Sequence, residues 1–247
     1  MFIGGVAAVI LEFAEPKVRD GVWQHSTFRQ DAMKRLQRTG LAAMVTVYGA
    51  RSQVEAMIAG VVRRHGRVEG MTTGGEAYNA NDQDLLDWVQ ATAGFGFMEA
   101  YHQFAHPLSN SERDALFREA QPAARLYGAT GAPASQAELD ALFESMRSRL
   151  EPSPIVGEFL AIMAEVPALP GPSRPLQGLM INAAVDILPA WIRERLQLGP
   201  EWSLNRLERA AVSLAARSAD RLLLRSSPPV QACLRLGLPE DYLYRRQ

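Results

Sequence analysis

One histidine lies on the apolar face of a predicted helix. In the segment 51–68, apolar residues recur at steps of three and four, and His65 lies among them between Val61 and Val68. A histidine on such a face is either a buried structural residue with hydrogen-bond partners or a ligand to a group bound inside the protein. A single helical histidine is also how many proteins hold haem iron. The spacing alone leaves both interpretations open.

Arg35 and Thr39 form a second set with chemical potential. They lie four residues apart and so share one face of the helix predicted over 31–48, with Thr46 two turns further along that face. An arginine that faces the interior is costly unless it meets an anion, such as a carboxylate or a haem propionate. Arg38 follows within the same turn, however, and such crowding is equally typical of a solvated basic face.

Motifs of the common enzyme classes are absent from the sequence. There is no HExxH motif, no GxSxG nucleophile elbow and no Walker A loop. Gly94 and Gly96 lie inside a helical pattern, so they do not form a dinucleotide-binding turn. Cys233 is the only cysteine, and His25, His102 and His106 have no cysteine framework around them. A zinc hydrolase therefore has no support.

Length and composition favour a globular protein. The chain has 247 residues, of which 47% are hydrophobic, and a formal net charge of -1. These values exclude dominant disorder and a nucleic-acid binder that relies on overall positive charge. The apolar run 1–11 ends at Glu12, and no later run is long enough to cross a bilayer, so we expect a buried first helix and no membrane span. The single cysteine is typical of a reducing compartment, and we expect a cytoplasmic protein.

Helical periodicity predicts one all-α domain over residues 1–247. Further helices are predicted over 82–104, 139–150, 177–188, 189–196 and 203–224. Ser109 with Glu112, and Ser135 with Glu138, are capping-box candidates. The segment 70–75 (GMTTGG) reads as a flexible loop. The proline-rich segment 166–175 is compatible with a linker, but the following segment is too apolar to stand alone, which favours a single domain.

Four stretches, in order along the chain, carry a resemblance to a known family. They are EPKVRDGVWQHSTFRQDAMKRLQRTG (15–40), VYGARSQVEAMIAGVVRRHGRVEG (47–70), YNANDQDLLDWVQAT (78–92) and LPAWIRERLQLGPEW (188–202). Together they make the chain resemble the rubber oxygenase and mycophenolate-pathway oxygenase catalytic-domain family, which includes the latex-clearing proteins. The resemblance spans nearly the whole chain.

The resemblance implies an all-helical fold that encloses one b-type haem. It implies that His65, in VVRRHGRVEG, is the proximal iron ligand, and that Arg35 and Thr39, in RLQRT, bind the cofactor in its pocket. Arg38 stands where latex-clearing members carry a lysine, and because it stays protonated it cannot ligate iron. We therefore expect Arg38 and Thr39 to act as catalytic hydrogen-bond donors.

The function expected on this basis is a haem-dependent oxygenase. Its substrate would be a small or elongated apolar molecule, and its oxidant dioxygen or peroxide. A helical protein that binds haem or an apolar ligand without turnover, for sensing or storage, is the alternative. A cofactor-free helical interaction protein is a third hypothesis, in which His65 contributes only packing.

Overall fold

Helices dominate the structure, as the periodicity predicts. The computed structural model describes residues 1–169 and 171–245, which contain twelve α-helices and one two-stranded antiparallel hairpin. The elements are α1 (Phe2–Ala14), α2 (Pro16–His25), α3 (Ala32–Tyr48), α4 (Arg51–His65), β1 (Glu69–Met71), β2 (Ala77–Asn79), α5 (Gln83–Ala100), α6 (Asn110–Tyr127), α7 (Gln136–Met146), α8 (Pro154–Glu165), α9 (Gln177–Asp186), α10 (Ala190–Arg195), α11 (Arg206–Asp220) and α12 (Pro228–Arg235). The expectation of an all-α fold is confirmed.

The first helix is the centre of the hydrophobic core. The apolar run that begins the chain forms α1, which packs against α5, α9, α2 and α8. A Cβ atom on Gly4 would lie 2.7 Å from the backbone oxygen of Gly96, so α1 and α5 are in backbone contact where they cross. Such a close approach requires glycine on both helices.

A buried tryptophan joins the same two helices by a hydrogen bond. Trp88 of α5 is fully buried, and its Nε1 donates to the carbonyl oxygen of Leu11 at 3.2 Å. Its ring packs against Phe143 of α7 with the centroids 5.2 Å apart. The core that starts here continues through buried residues of α8 and α9 to Val212 of α11.

Side-chain caps define several helix starts. Ser109 and Glu112 form the predicted capping box of α6, and Ser135 accepts a hydrogen bond from the backbone N–H of Glu138 at the start of α7. At the start of α2, the Glu15 carboxylate accepts from the N–H of Val18 at 2.8 Å. These caps satisfy N–H groups that the first turn of a helix leaves free.

The segment predicted as a flexible loop is instead part of a hairpin. Residues 70 and 71 belong to β1, which pairs with β2 in the register Glu69 to Asn79, Gly70 to Tyr78 and Met71 to Ala77. The remainder forms the turn, in which Gly75 has a φ of 83°. Strands of three residues are too short to show an alternating pattern, which is why the sequence did not predict them.

Two predicted helices end earlier than expected. α4 stops at His65 rather than residue 68, because the chain turns into the hairpin at Gly66. α5 stops at Ala100, and residues Tyr101–Ala105 form a π-helical turn. In the proline-rich segment, Gly171–Leu176 form a short 3₁₀ helix. Gln177, which follows this helix, donates a hydrogen bond from its Nε2 to the carbonyl oxygen of Met163. Pro170 lies outside the described residues.

The third helix is loosely packed. Of the 17 residues of α3, all described by the structure, Ala32 alone is buried. Its main contacts are with α4 and α12. Within residues 1–169 and 171–245, none of the helices combines the length and apolar character needed to cross a bilayer.

Candidate functional site

His65 occupies the last position of α4 and points inward. It shares a helix face with the buried residues Val54 and Ile58, as its spacing predicts, and is itself half-buried. Its Nδ1 atom is buried and has no hydrogen-bond partner among the described residues. Burial lowers the pKa of His65 below its ordinary value of 6.5, and the positive charges of Arg35 and Arg64 lower this pKa further. The imidazole is therefore neutral at pH 7, the state in which a histidine ligates a metal.

Arg35 of α3 is half-buried and is held by its own helix. Its Nη1 donates to Thr39 Oγ1 at 2.6 Å, and that hydroxyl donates to the carbonyl oxygen of Arg35 at 2.9 Å. Burial lowers the pKa of Arg35, the nearby Glu12 raises it, and Arg38 lowers it again. Thr39 thus fixes the direction of the guanidinium group, as a positioning hydroxyl would.

Arg38 and Thr39 themselves lie on the exposed side of α3. Among the described residues, the Thr39 side chain forms its hydrogen bonds with Arg35, and the effect of Arg38 on Arg35 is electrostatic. Their predicted catalytic roles remain predictions. Thr46, two turns along, is half-buried and forms a 3.0 Å hydrogen bond with the Tyr127 hydroxyl of α6.

Glu12 of α1 is the residue that sequence reasoning missed. Burial raises its pKa to about 7, against the positive charge of Arg35, which lowers it. Because Arg35 also acts on His65, the three groups form one electrostatically connected set drawn from α1, α3 and α4. In the sequence Glu12 only marks the end of an apolar run. The sequence did contain one indication that Glu12 belongs to a site, because a single acidic residue interrupts a strongly apolar helix there.

An apolar face accompanies Glu12 along α1. Phe2, Gly5, Val9 and Glu12 are spaced at three and four residues and are half-buried, whereas the other residues of α1 are buried. A Cβ atom on Gly5 would have no neighbour within 4 Å. α1 therefore presents a mostly apolar strip with open space beside it and one titratable carboxyl at its end.

The remaining histidines have surface or structural positions. His102 Nδ1 accepts a hydrogen bond from the N–H of Leu108 at 2.8 Å, which closes the turn after the π-helical residues. His25 and His106 are exposed, and the His25 ring lies edge-on to Tyr78 at a centroid distance of 6.4 Å. In the described part of the chain, His, Cys, Asp and Glu side chains form no group of three or more that would hold a metal ion.

Glu15 and Gln90 differ in their burial and in their contacts. Glu15 is 2% exposed, caps α2 and forms an ion pair with Arg149 at 2.8 Å, so it is part of the scaffold. Gln90 is half-buried on α5. Neither residue has a resolved contact with Glu12, Arg35 or His65 among the described residues.

Comparison with known proteins identifies the class. Residues 1–219, which include all the site residues, match the family described as ER-bound oxygenase mpaB/B'/Rubber oxygenase, catalytic domain. The chain belongs to this family of oxygenase catalytic domains, and the resemblance found in the sequence is confirmed. Searches of curated proteins and of solved structures gave no match.

Proposed function

We propose that this protein is a haem b-dependent oxygenase that acts on a small or elongated apolar molecule with dioxygen or peroxide. The observation that carries the proposal is His65: a neutral, inward-facing imidazole with a buried nitrogen that lacks a partner, in a member of an oxygenase family. A porphyrin supplies four of the iron's ligands, so one protein histidine is sufficient to anchor haem. The buried His65 nitrogen without a partner among the described residues supports the fit of this cofactor to the residues present.

The residues of the site have distinct proposed roles. His65 would hold the iron. Arg35, half-buried and oriented by the Thr39 hydroxyl, would neutralise a haem propionate, because an inward guanidinium requires an anionic partner. Thr39 would keep Arg35 in place, and Arg38 would donate hydrogen bonds from the same turn. Bound haem supplies the redox chemistry that activates the oxidant.

Glu12 is the group that can move a proton. A carboxyl with a pKa of about 7 is present in both protonation states at neutral pH, which is the condition for an effective acid or base. Its carboxylate oxygens can accept a proton from the substrate and return it. The positive charge of Arg35 lowers the pKa of Glu12 and so affects how tightly this proton is held. Phe2 and Val9, on the same strip of α1, offer an apolar wall for the substrate.

The proposal also covers the domain organisation, the cellular location and the partners of the protein. We include in the proposal that residues 1–247 act as one haem-binding domain and that the protein works in the cytoplasm, supported by the continuous core from α1 to α11 and by the single cysteine. A formal net charge of -1 supports small molecules rather than nucleic acids as partners.

The test is the visible spectrum of protein expressed with a haem precursor. We expect a strong Soret band in the wild type that collapses or shifts in His65→Ala. His106→Ala, which removes an exposed histidine, is the matched control and should leave the band unchanged. A colourless wild type that also ignores added haemin would exclude the haem proposal. A Soret band unaffected by His65→Ala would reassign the ligand, and His25→Ala would be measured next.

Turnover separates the oxygenase from a carrier. An oxygenase consumes dioxygen or peroxide together with an apolar substrate, whereas a sensing or storage protein binds haem without consuming either. Haem binding through His65 with no consumption across a panel of apolar substrates would favour the non-catalytic alternative.

A further inference from the structure

The outward face of α11 combines large leucines with arginines. Leu207 and Leu214 are 83% and 70% exposed and lie seven residues, or two helical turns, apart. At 100° per residue, Arg206, Arg217 and Arg221 fall within the same arc of about 100° around the helix axis. We call these five residues the α11 face. On the opposite side, Val212 is fully buried in the core.

The arginines of the α11 face do not contribute ion pairs to the described part of the fold. Arg206, Arg217 and Arg221 form no ion pair within residues 1–169 and 171–245, whereas Arg209 on the inward side pairs with Asp186. Glu208 lies outside the arc and is engaged in the capping box with Asn205. The face therefore presents three positive charges without an ion-pair partner beside two exposed leucines, and the exposed Asp220 lies just outside the arc.

We propose that the α11 face binds the surface of an anionic lipid bilayer. An interfacial helix buries its large apolar side chains at the boundary between headgroups and acyl chains, and arginines beside them attract anionic headgroups. Leu207 and Leu214 supply the first element, and the three arginines the second. Leu222 and Leu224, which directly follow α11 in the sequence, are also 56% and 51% exposed.

The charges favour a membrane over a second copy of the chain. In a two-fold symmetric dimer the α11 face would meet itself, which would place the three arginines of one copy against those of the other. A bilayer that carries anionic lipids neutralises all three arginines at once. Attachment would be peripheral and reversible, along the side of one amphipathic helix.

Vesicle co-sedimentation of the full chain tests the proposal. The vesicles are phosphatidylcholine alone, or phosphatidylcholine with about 30% phosphatidylserine. Two variants remove one element each: Leu207→Ser with Leu214→Ser, and Arg217→Gln with Arg221→Gln. The matched control, Arg118→Gln with Leu126→Ser, changes the same residue types at exposed positions of α6. Circular dichroism establishes that each variant is folded.

We expect the wild type and the α6 control to bind the anionic vesicles and not the neutral ones. The arginine variant should weaken binding about tenfold or more, since each arginine contributes about fivefold near an anionic surface. The leucine variant should weaken binding by about tenfold as well, because it removes the apolar side chains that enter the bilayer. Binding should also fall in about 0.5 M salt. Absence of binding to anionic vesicles, or equal binding by all variants, overturns the proposal. The proposal is also overturned if light scattering shows that the α11 face binds a protein instead. That result would be a dimer of the chain, or a complex with an acidic protein, that forms with the wild type and is lost in the leucine variant.

Discussion

Replacing Glu12 by glutamine removes one proton-binding group from the folded protein while keeping the size of the side chain. The carboxyl has a pKa of about 7 in the folded protein because burial disfavours its charged form, and an ordinary value of 4.5 when the chain is unfolded. Between these two values the folded state holds the proton more tightly than the unfolded state. The contribution of Glu12 to stability is therefore largest at low pH and is lost as the pH rises from about 4.5 to about 7.

The size of the effect follows from the two pKa values. Linkage gives a loss of about 2.5 kcal/mol in the free energy of unfolding between pH 5 and pH 8 for this single group. For a chain of this length, 1 kcal/mol changes the melting temperature by about 2–4 °C. The difference in melting temperature between Glu12→Gln and the wild type should thus grow by roughly 5–10 °C in favour of the variant over this range.

The assay is thermal unfolding of both purified proteins at several pH values from 5 to 8, followed by circular dichroism. Taking the difference between variant and wild type cancels the titration of groups that both proteins share. A difference that stays constant with pH would show that Glu12 titrates normally, and the assignment of Glu12 as the proton-carrying group of the site would then be wrong.

Three further predictions concern the helix crossing and the site. Gly96→Ala should destabilise the protein by about 3 kcal/mol in denaturant unfolding, because its Cβ would enter the backbone of α1; Gly157→Ala, with open space around the new methyl group, should be neutral or stabilise by up to about 1 kcal/mol. Trp88→Phe should lower stability by about 1–3 kcal/mol, since it leaves a buried carbonyl of α1 without its donor. Arg35→Gln should raise the pKa of His65 toward its ordinary value, as the loss of a nearby positive charge makes protonation easier, and NMR titration of the imidazole in haem-free protein measures this. Equal stability of the two glycine variants would contradict the close crossing of α1 and α5. An unchanged melting curve for Trp88→Phe would contradict the hydrogen bond to Leu11, and an unchanged pKa of His65 in Arg35→Gln would contradict the electrostatic effect of Arg35.

Local rules predicted the helices well. The capping box at Ser109 starts α6 as expected, and at α7 the Ser135 side chain caps the N–H of Glu138, because a cap depends on residues only three positions apart. The apolar run at the start of the chain is a buried helix, and His65 lies on the inward face that its spacing indicates. The family resemblance, confirmed by the match over residues 1–219, contributed the candidate site residues that spacing alone left open, and their roles stay predictions.

What the sequence did not predict depends on contacts between distant segments. The raised pKa of Glu12 depends on its burial in the folded protein, so no local pattern contains it. The hairpin of β1 and β2 is held in place by side chains from α2, with Asp20 accepting hydrogen bonds from the backbone N–H and the hydroxyl of Thr73, both at 2.8 Å. The spacing left open whether Arg35 faces the interior or the solvent, and the half-burial of Arg35 with the exposure of Thr39 beside it is a property of how α3 packs.

The central position of α1 has a consequence for synthesis. This helix leaves the ribosome before any of the segments that cover it, and one of its main partners, α9, begins only at Gln177. At a rate of synthesis of about 5–20 residues per second, roughly 10–30 s pass between the synthesis of α1 and that of α9, and the apolar surface of α1 is not fully buried during this time. During this interval the nascent chain exposes what becomes the centre of the core, so its yield in cells should depend on chaperones that bind early-emerging apolar segments.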